Sequence, residues 1–346
     1  MSKYKLYTNS KRAWDGMLKA MKLAQKSIYI EMFILLADTS ETHDFWGVIK
    51  EKAKKGVKIA IVADSFGSYA LDKEAVNEAR ALGVEILFFS DWLRRTHRKI
   101  IIVDEKIAFL GGVNIEKKTI NWRDLQVRLE SKYLAKVIFK SFAYTYIMCG
   151  GKDPFILKQQ QKKFFHKVHS WLLEHWPNSG VYALNNYYRE KIIAAQKRIV
   201  IITPYFTPPR WLVALLDDAI RRGVKVEVII PENTDVSIIN RVNYGYIRLL
   251  SHLGIEFFLF KKMNHAKALF IDNKELMIGS PNIDFLSFNF NLEVGVFMDD
   301  KELIQEFSLL VEKWQRQSWP LAYLKNKLIW LDYVFAFFIR LFLRML

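Results

Sequence analysis

The sequence predicts an α/β protein of two similar halves, each a mixed or parallel sheet flanked by helices, with an amphipathic helix at the C-terminal end. Three observations carry this. The stretch "HRKIIIVD" (97–104) returns 168 residues later as "HAKALFID" (265–272). The same succession of apolar runs and amphipathic stretches precedes each copy. These runs are short, β-branched and bounded by glycine, which is the signature of buried strands alternating with helices.

Taken in order, "SIYIEMFILLAD" (27–38) reads as a strand, and "EKAKKGVKIAIVAD" (51–64) as the end of a helix, a stop at Gly56 and a core strand. "ALGVEILFF" (81–89) then supplies a third strand ahead of the first histidine motif. The second half repeats the plan. "RIVIITPYFTPP" (198–209), "LLDDAIRRGVKVEVIIP" (215–231) with its stop at Gly223, and "HLGIEFFLF" (252–260) precede the second motif. Strands that alternate with helices imply sheets covered on both faces. The expected organisation is a first half over 1–150, a basic connecting helical segment over 151–185, a second half over 186–318, and an amphipathic membrane-associating helix over 319–346. His166, His169 and His175 fall in or beside the connecting helix and read as ordinary surface or interface residues.

Composition narrows the function classes. The chain has 346 residues, 51% hydrophobic, enough for two cores of ordinary domain size. Its 52 Lys and Arg against 36 Asp and Glu leave a formal charge of +16, an excess that suits nucleic acid or an anionic membrane surface. Cys149 is the single cysteine, which excludes an intrachain disulfide and a cysteine-based zinc site and fits a reducing cytoplasmic setting. The opening "MSKYKLYTNSKRAWDGM" lacks the apolar core of a secretory signal, so membrane contact is expected elsewhere than at an N-terminal anchor.

In a strand, residues two apart share a face, so His97 with Lys99, and His265 with Lys267, are expected to point together. Imidazole is a nucleophile or an acid and base near neutrality, and ammonium is a fixed donor to negative oxygen, a pairing that suits phosphate. Asp104 and Asp272 stand at odd spacing beside turn residues, so geometry gives them a role in the turn. After each motif comes a turn of small residues ending in Asn: Gly111, Gly112 and Asn114 in the first, Gly279, Ser280 and Asn282 in the second. Small residues let backbone approach a bound group, and a carboxamide supplies neutral donors. Asp124 follows His97 by 27 residues, and Glu293 follows His265 by 28. A carboxylate that accepts from one ring nitrogen fixes the tautomer and frees the other, so both are expected to orient the histidines.

On these residues the chain resembles the phospholipase D superfamily, whose signature is a pair of HxKxxxxD motifs. Within it, "HRKIIIVDEKIAFLGGVNI", "WRD", "TPYFTPP", "HAKALFID", "IGSPNID" and "NLEV" are similar to the motifs of short-type bacterial cardiolipin synthases. The N-terminal pair of transmembrane helices of the longer members is absent from this sequence, and Gly112 stands where the second turn has Ser280. The resemblance implies two halves contributing to one pseudo-two-fold site, with His97, Lys99, Asp104, His265, Lys267 and Asp272 as the catalytic motifs. It implies a phosphohistidine intermediate with His97 as nucleophile and His265 as general acid. Asn114, Asn282 and Ser280 would bind substrate. Neither metal nor other cofactor is expected.

The superfamily's chemistry serves lipids and nucleic acids alike, so the substrate must be read elsewhere. In "NKLIWLDYVFAFFIRLFLRML" (326–346), Asp332, Arg340 and Arg344 share one arc of a helical wheel with Lys325 and Tyr333, and from Leu328 onward the remainder is apolar. With each charge costing about 2.5–3.5 kcal/mol at a bilayer centre, this helix is expected to lie in the interface instead of spanning it. The expected function is therefore transfer of a phosphatidyl group from phosphatidylglycerol, or another phospholipid, to the hydroxyl of phosphatidylglycerol. The expected place is the cytoplasmic face of a bacterial membrane, peripheral or monotopic, with anionic phospholipid as partner and nucleic acid not favoured. The alternatives are a phosphodiesterase that hydrolyses phospholipid, or a nuclease, by the same chemistry.

Overall fold

The computed structural model describes residues 3–160, 171–325 and 330. The chain divides into two compact units: Met1–Glu174 with Phe290–Gly295, and His175–Asn289 with Val296–Leu346.

The first unit is built on a seven-stranded sheet. Its strands are β1 (Lys3–Tyr7), β2 (Ser27–Met32), β3 (Lys58–Asp64), β4 (Glu85–Phe89), β5 (Lys99–Val103), β6 (Ile107–Gly111) and β7 (Gln126–Glu130), in the spatial order β1-β7-β6-β5-β2-β3-β4. β2, β3 and β4 run parallel, while β5, β6, β7 and β1 are antiparallel to their neighbours. Helices α1 (Ser10–Lys22), α2 (Phe45–Lys54) and α3 (Lys73–Ala81) supply the crossovers, and α4 (Lys132–Met148) follows the last strand. Alternation along β2 sorts its side chains by face. Ile28, Ile30 and Met32 join Trp14, Met17, Phe45 and Ile49 in one core, whereas Tyr29 stacks on Phe139 of α4 at 4.3 Å. The sequence pattern does not mark β1: "KYKLY" is too polar to read as buried, and it forms because an edge strand has one neighbour, here β7.

An eight-stranded sheet, most of it in the second unit, follows the same plan. Its strands are β8 (Leu172–His175), β9 (Arg198–Ile202), β10 (Lys225–Pro231), β11 (Glu256–Phe260), β12 (Ala268–Ile271), β13 (Glu275–Gly279), β14 (Glu293–Met298) and β15 (Ser318–Trp319). They lie in the order β15-β11-β10-β9-β12-β13-β14-β8. β9, β10 and β11 are parallel, and β12 turns antiparallel against β9, as β5 does against β2. Gly56 and Gly223, with φ of +77° and +85°, end the helices ahead of β3 and β10 in the left-handed conformation that a side chain disfavours. The two-half α/β architecture expected from the repeats is thus present.

Two expectations change. Within 151–185, residues 161–170 lie outside the described part, but Leu172–His175 forms β8 and not a helix. Leu172, Leu173, His175 and Trp176 are all buried, so the aromatic-rich tail of this segment closes a sheet edge. His175 is accordingly no surface residue: its Nδ1 accepts from Leu184 N at 3.2 Å, at the start of the next helix. At the other end, Ser318 and Trp319 pair antiparallel with β11, so the sheet claims the first residue assigned to the terminal helix. A short helix, Leu321–Lys325, follows. The amphipathic helix expected over 326–346 lies outside the described residues except for exposed Trp330. No helix among the described residues is long and apolar enough to cross a membrane.

The aspartates that close the two motifs occupy matching turns. Asp104 has φ +52° and accepts from the backbone N–H of Gln25, Lys26 and Ser27; Asp272, also at φ +52°, accepts from Gln196, Lys197 and Arg198. Each carboxylate ties the β5–β6 or β12–β13 turn to the start of β2 or β9. Burial opposes ionisation of Asp272, yet its three backbone donors hold the carboxyl below the usual range. A depressed folded-state value adds stability above the unfolded value that is lost as pH falls. Asp272→Ala is expected to cost about 1–2 kcal/mol at neutral pH by urea unfolding. The difference from wild type should shrink as pH drops below about 3.9, the ordinary aspartate value. A difference that persists unchanged to low pH would contradict a charged cap.

Candidate active site

His97 stands two residues ahead of β5, on the approach to the strand, and both its ring and its backbone are held. Its Nδ1 lies 3.0 and 3.1 Å from the two oxygens of Glu293, a carboxylate with no solvent exposure. Its backbone N–H donates to Leu292 O at 3.0 Å, and Leu292 N donates back to Arg95 O at 2.9 Å. Phe33, just past β2, meets the ring edge-on at 4.9 Å. Because Nδ1 faces a buried carboxylate, it carries the proton, and the lone pair of the ring stays on Nε2. The expectation that Glu293 orients a histidine thus acquires a specific form. It follows the second motif in sequence but meets the histidine of the first, and with Phe290–Gly295 it belongs to the first unit.

Lys99 is fully buried in β5, its Nζ donating to the carbonyl of His97 and sitting 5.0 Å from the centre of the Phe33 ring. Ammonium, imidazole and ring therefore form one packed group. Gly112 is required beside it. A Cβ there would lie 2.2 Å from Asp124 Oδ1, so the glycine lets that carboxylate come against the backbone. Asp124 is buried and accepts from Leu125 N at 2.7 Å.

The second unit repeats the group around its own motif. His265 is buried three residues ahead of β12, Lys267 Nζ donates to the His265 carbonyl, and Tyr205 stands edge-on to the ring at 6.5 Å. Ser280 is buried in the turn after β13. Asn114 and Asn282 hold equivalent places, and Oδ1 of each is buried with no hydrogen-bond partner among the described residues. An unsatisfied buried acceptor costs about 1–3 kcal/mol, so its recurrence at both repeat positions is not explained by folding alone.

Several supports were invisible in the sequence because they act through backbone. Asp64, at the end of β3, accepts from Thr96 N at 2.8 Å and so fixes the residue before His97. Ser68 accepts from Leu35 N and donates to Phe33 O, both at 3.0 Å, while in the second unit Asn243 accepts from Phe206 N and donates to Pro204 O, both at 2.9 Å. Two unrelated side chains thus pin the two ring-bearing loops. Behind His97, Arg98 is fully buried, 3.4 Å from Glu31 and bonded to Ser141 and Thr145 of α4. Burial pushes the Glu31 carboxyl up, and the Arg98 guanidinium opposes this. The second motif has Ala266 at this place, so the repetition carries no signal for Arg98. No group of three or more His, Cys, Asp or Glu that could hold a metal ion occurs among the described residues.

Arg98→Ala strands a buried carboxylate and is expected to cost about 3–5 kcal/mol by thermal unfolding. Arg98→Met with Glu31→Leu should recover most of that, since removing both charges removes the penalty. Glu293→Gln keeps an acceptor but not its charge. It should lower kcat at least about tenfold with little change in KM, because the imidazolium loses its partner only once it forms. A change confined to KM would place Glu293 in substrate binding instead.

The family model described as "Cardiolipin synthase, PLD-like domain" matches residues 17–146 and 188–314. Among curated proteins, the probable cardiolipin synthase YwiE of Bacillus subtilis is 28% identical over 352 residues, covering 93% of this chain and 67% of its own length. The minor cardiolipin synthase ClsB of B. subtilis is 27% identical over 88% of this chain and 79% of its own. Cardiolipin synthase 1 of Bacillus anthracis is 30% identical over 87% of this chain, and the chain spans 64% of that protein. Among solved structures, phosphatidylserine synthase from Haemophilus influenzae Rd KW20 superposes with a TM-score of 0.74 at 15% identity, over 98% of this chain and 93% of its own, a likeness of fold. The two matched stretches take up most of the chain and each contains one copy of the histidine motif, so the protein belongs to the family of the cardiolipin synthase phospholipase D-like domain.

Proposed function

We propose that the chain is a phosphatidyltransferase that makes cardiolipin from two molecules of phosphatidylglycerol. The observation that carries the reading is the buried Glu293 carboxylate on Nδ1 of His97, which keeps the proton on Nδ1 and the lone pair of the ring on Nε2. In the proposed reaction Nε2 attacks phosphorus, the bond from phosphorus to the headgroup glycerol breaks, and His265 gives that oxygen a proton. The result is phosphatidyl-His97 and free glycerol. His265 then takes the proton of a headgroup hydroxyl on a second phosphatidylglycerol. That oxygen attacks phosphorus, the N–P bond breaks, and cardiolipin leaves.

Lys99 and Lys267 are proposed to stabilise the charge that builds on the non-bridging oxygens, with Asn114, Asn282 and Ser280 as substrate contacts. Asp104 and Asp272 complete the motifs as turn residues that hold β5 and β12 in place. Asp124 is proposed, like Glu293, as a positioning carboxylate. The relatives' names supply the substrate class, and the charge of +16 favours an anionic lipid surface. The proposed location is the cytoplasmic face of the bacterial membrane, held peripherally, with residues 326–346 contributing interfacial attachment.

Incubating the protein with phosphatidylglycerol vesicles should yield cardiolipin and glycerol in equal amounts, and quenching in base should trap a phosphoryl adduct on His97. His97→Ala and His265→Ala should each reduce turnover at least about a hundredfold. Phosphatidic acid as the main product would replace transfer by hydrolysis. An adduct on His265 would reverse the two roles.

A further inference from the structure

We propose that two loops of the first unit, residues 65–70 and 91–95, form a docking surface that seats His97 on anionic phospholipid. The proposal deepens the lipid reading above and rests on it.

Both loops leave the same end of the sheet, where β3 and β4 finish and the chain turns toward His97. One side chain joins them. Asp64 accepts from Phe66 N and Gly67 N of the first loop and from Thr96 N at the end of the second. The second loop is stiff: Leu93 N and Arg94 N donate to Asp91 Oδ1, and the Arg95 guanidinium donates to the carbonyls of Asp91, Trp92 and Arg94. The same guanidinium lies over the Phe66 ring at 4.5 Å, binding loop to loop.

This rigid pair exposes its apolar residues. Trp92 is 89% exposed, Tyr69 85%, Phe66 63% and Leu93 54%. Scattered apolar exposure is ordinary, but four such side chains on two cross-braced loops form a patch that water does not favour. Aromatic rings rimmed by arginine suit a bilayer interface, where rings sit at headgroup depth and cations meet phosphate. Asp91, the acid on these loops, is occupied by backbone donors and lies 3.9 Å from Arg94. The chemistry selects the same partner. Asp64 ties both loops to Thr96, the residue before His97, so entry of the loops into the interface would carry His97 toward headgroup depth.

The opposite end of the same strands offers a control. Leu23 is 64% exposed, next to the turn where Asp104 pins Gln25 to Ser27. The full chain is sedimented with phosphatidylglycerol vesicles and with phosphatidylcholine vesicles. Trp92→Ser with Leu93→Ser should weaken binding to phosphatidylglycerol about tenfold, and Leu23→Ser should not. Acyl chains brominated near the headgroup should quench fluorescence in wild type more than in Trp92→Phe, which detects insertion even where the C-terminal segment keeps the protein bound. Equal quenching in the two proteins, or an equal loss in Leu23→Ser, would overturn docking. Loss of single-stranded oligonucleotide binding with vesicle binding intact would also overturn it, in favour of nucleic acid. Cardiolipin formation by wild type is scored separately: its absence removes the functional reading, whereas docking is decided by sedimentation and quenching.

Discussion

The bond between His97 and Glu293 is the constraint on which the histidine group of the first unit depends. An imidazole is symmetrical enough to present either nitrogen, and only a partner on one of them makes the other available for chemistry. Glu293 provides that partner from a segment that is also clipped to the histidine's backbone, through Leu292 and Arg95. The ring's position and its tautomer are therefore set by one short piece of chain. Ammonium and aromatic ring are then packed around it: Lys99 reaches back to the histidine carbonyl, and Phe33 fills the space between.

Around this pair the supporting residues work through backbone. Asp64 holds Thr96, Ser68 holds the loop of Phe33, and Asp104 draws the far end of β5 to the start of β2. Each replaces an otherwise unpaired N–H with a short polar bond, and each fixes a loop that would be free to shift. Arg98 and Glu31 take a different approach, placing an ion pair inside the layer between sheet and α4. Such a pair contributes little net stability, but its loss is expensive because one charge is left without the other.

Much of this was legible in the sequence, for a physical reason: duplication preserves what chemistry and strand geometry require at both places. His, Lys and Asp recur because each copy needs the same ring, cation and turn, and the Gly-led strands recur because each sheet needs the same crossovers. What could not be read is what the halves do differently. Ser68 and Asn243 perform one task with unlike side chains, and Arg98 has only Ala266 opposite it. β1 and β8 are edge strands of mixed polarity, whose form is set by a distant neighbour instead of by local pattern. The destination of Glu293 was hidden for a related reason. Spacing of 28 residues after His265 suggests a local partner, whereas hydrogen bonding is decided by where the strand lies.

The placement of Phe290–Gly295 has a consequence for how this protein can vary and be divided. The first repeat contains a histidine motif, a sheet and a core, yet the carboxylate that sets the tautomer of its histidine is encoded more than a hundred residues beyond the end of that repeat. A gene fragment ending at Glu174 would encode nearly a whole domain with an undirected imidazole. Inheritance of the two repeats is thus coupled. Changes around residue 293 are felt at a ring near residue 97, and recombination that exchanges one repeat for a related one must carry a compatible segment with the other.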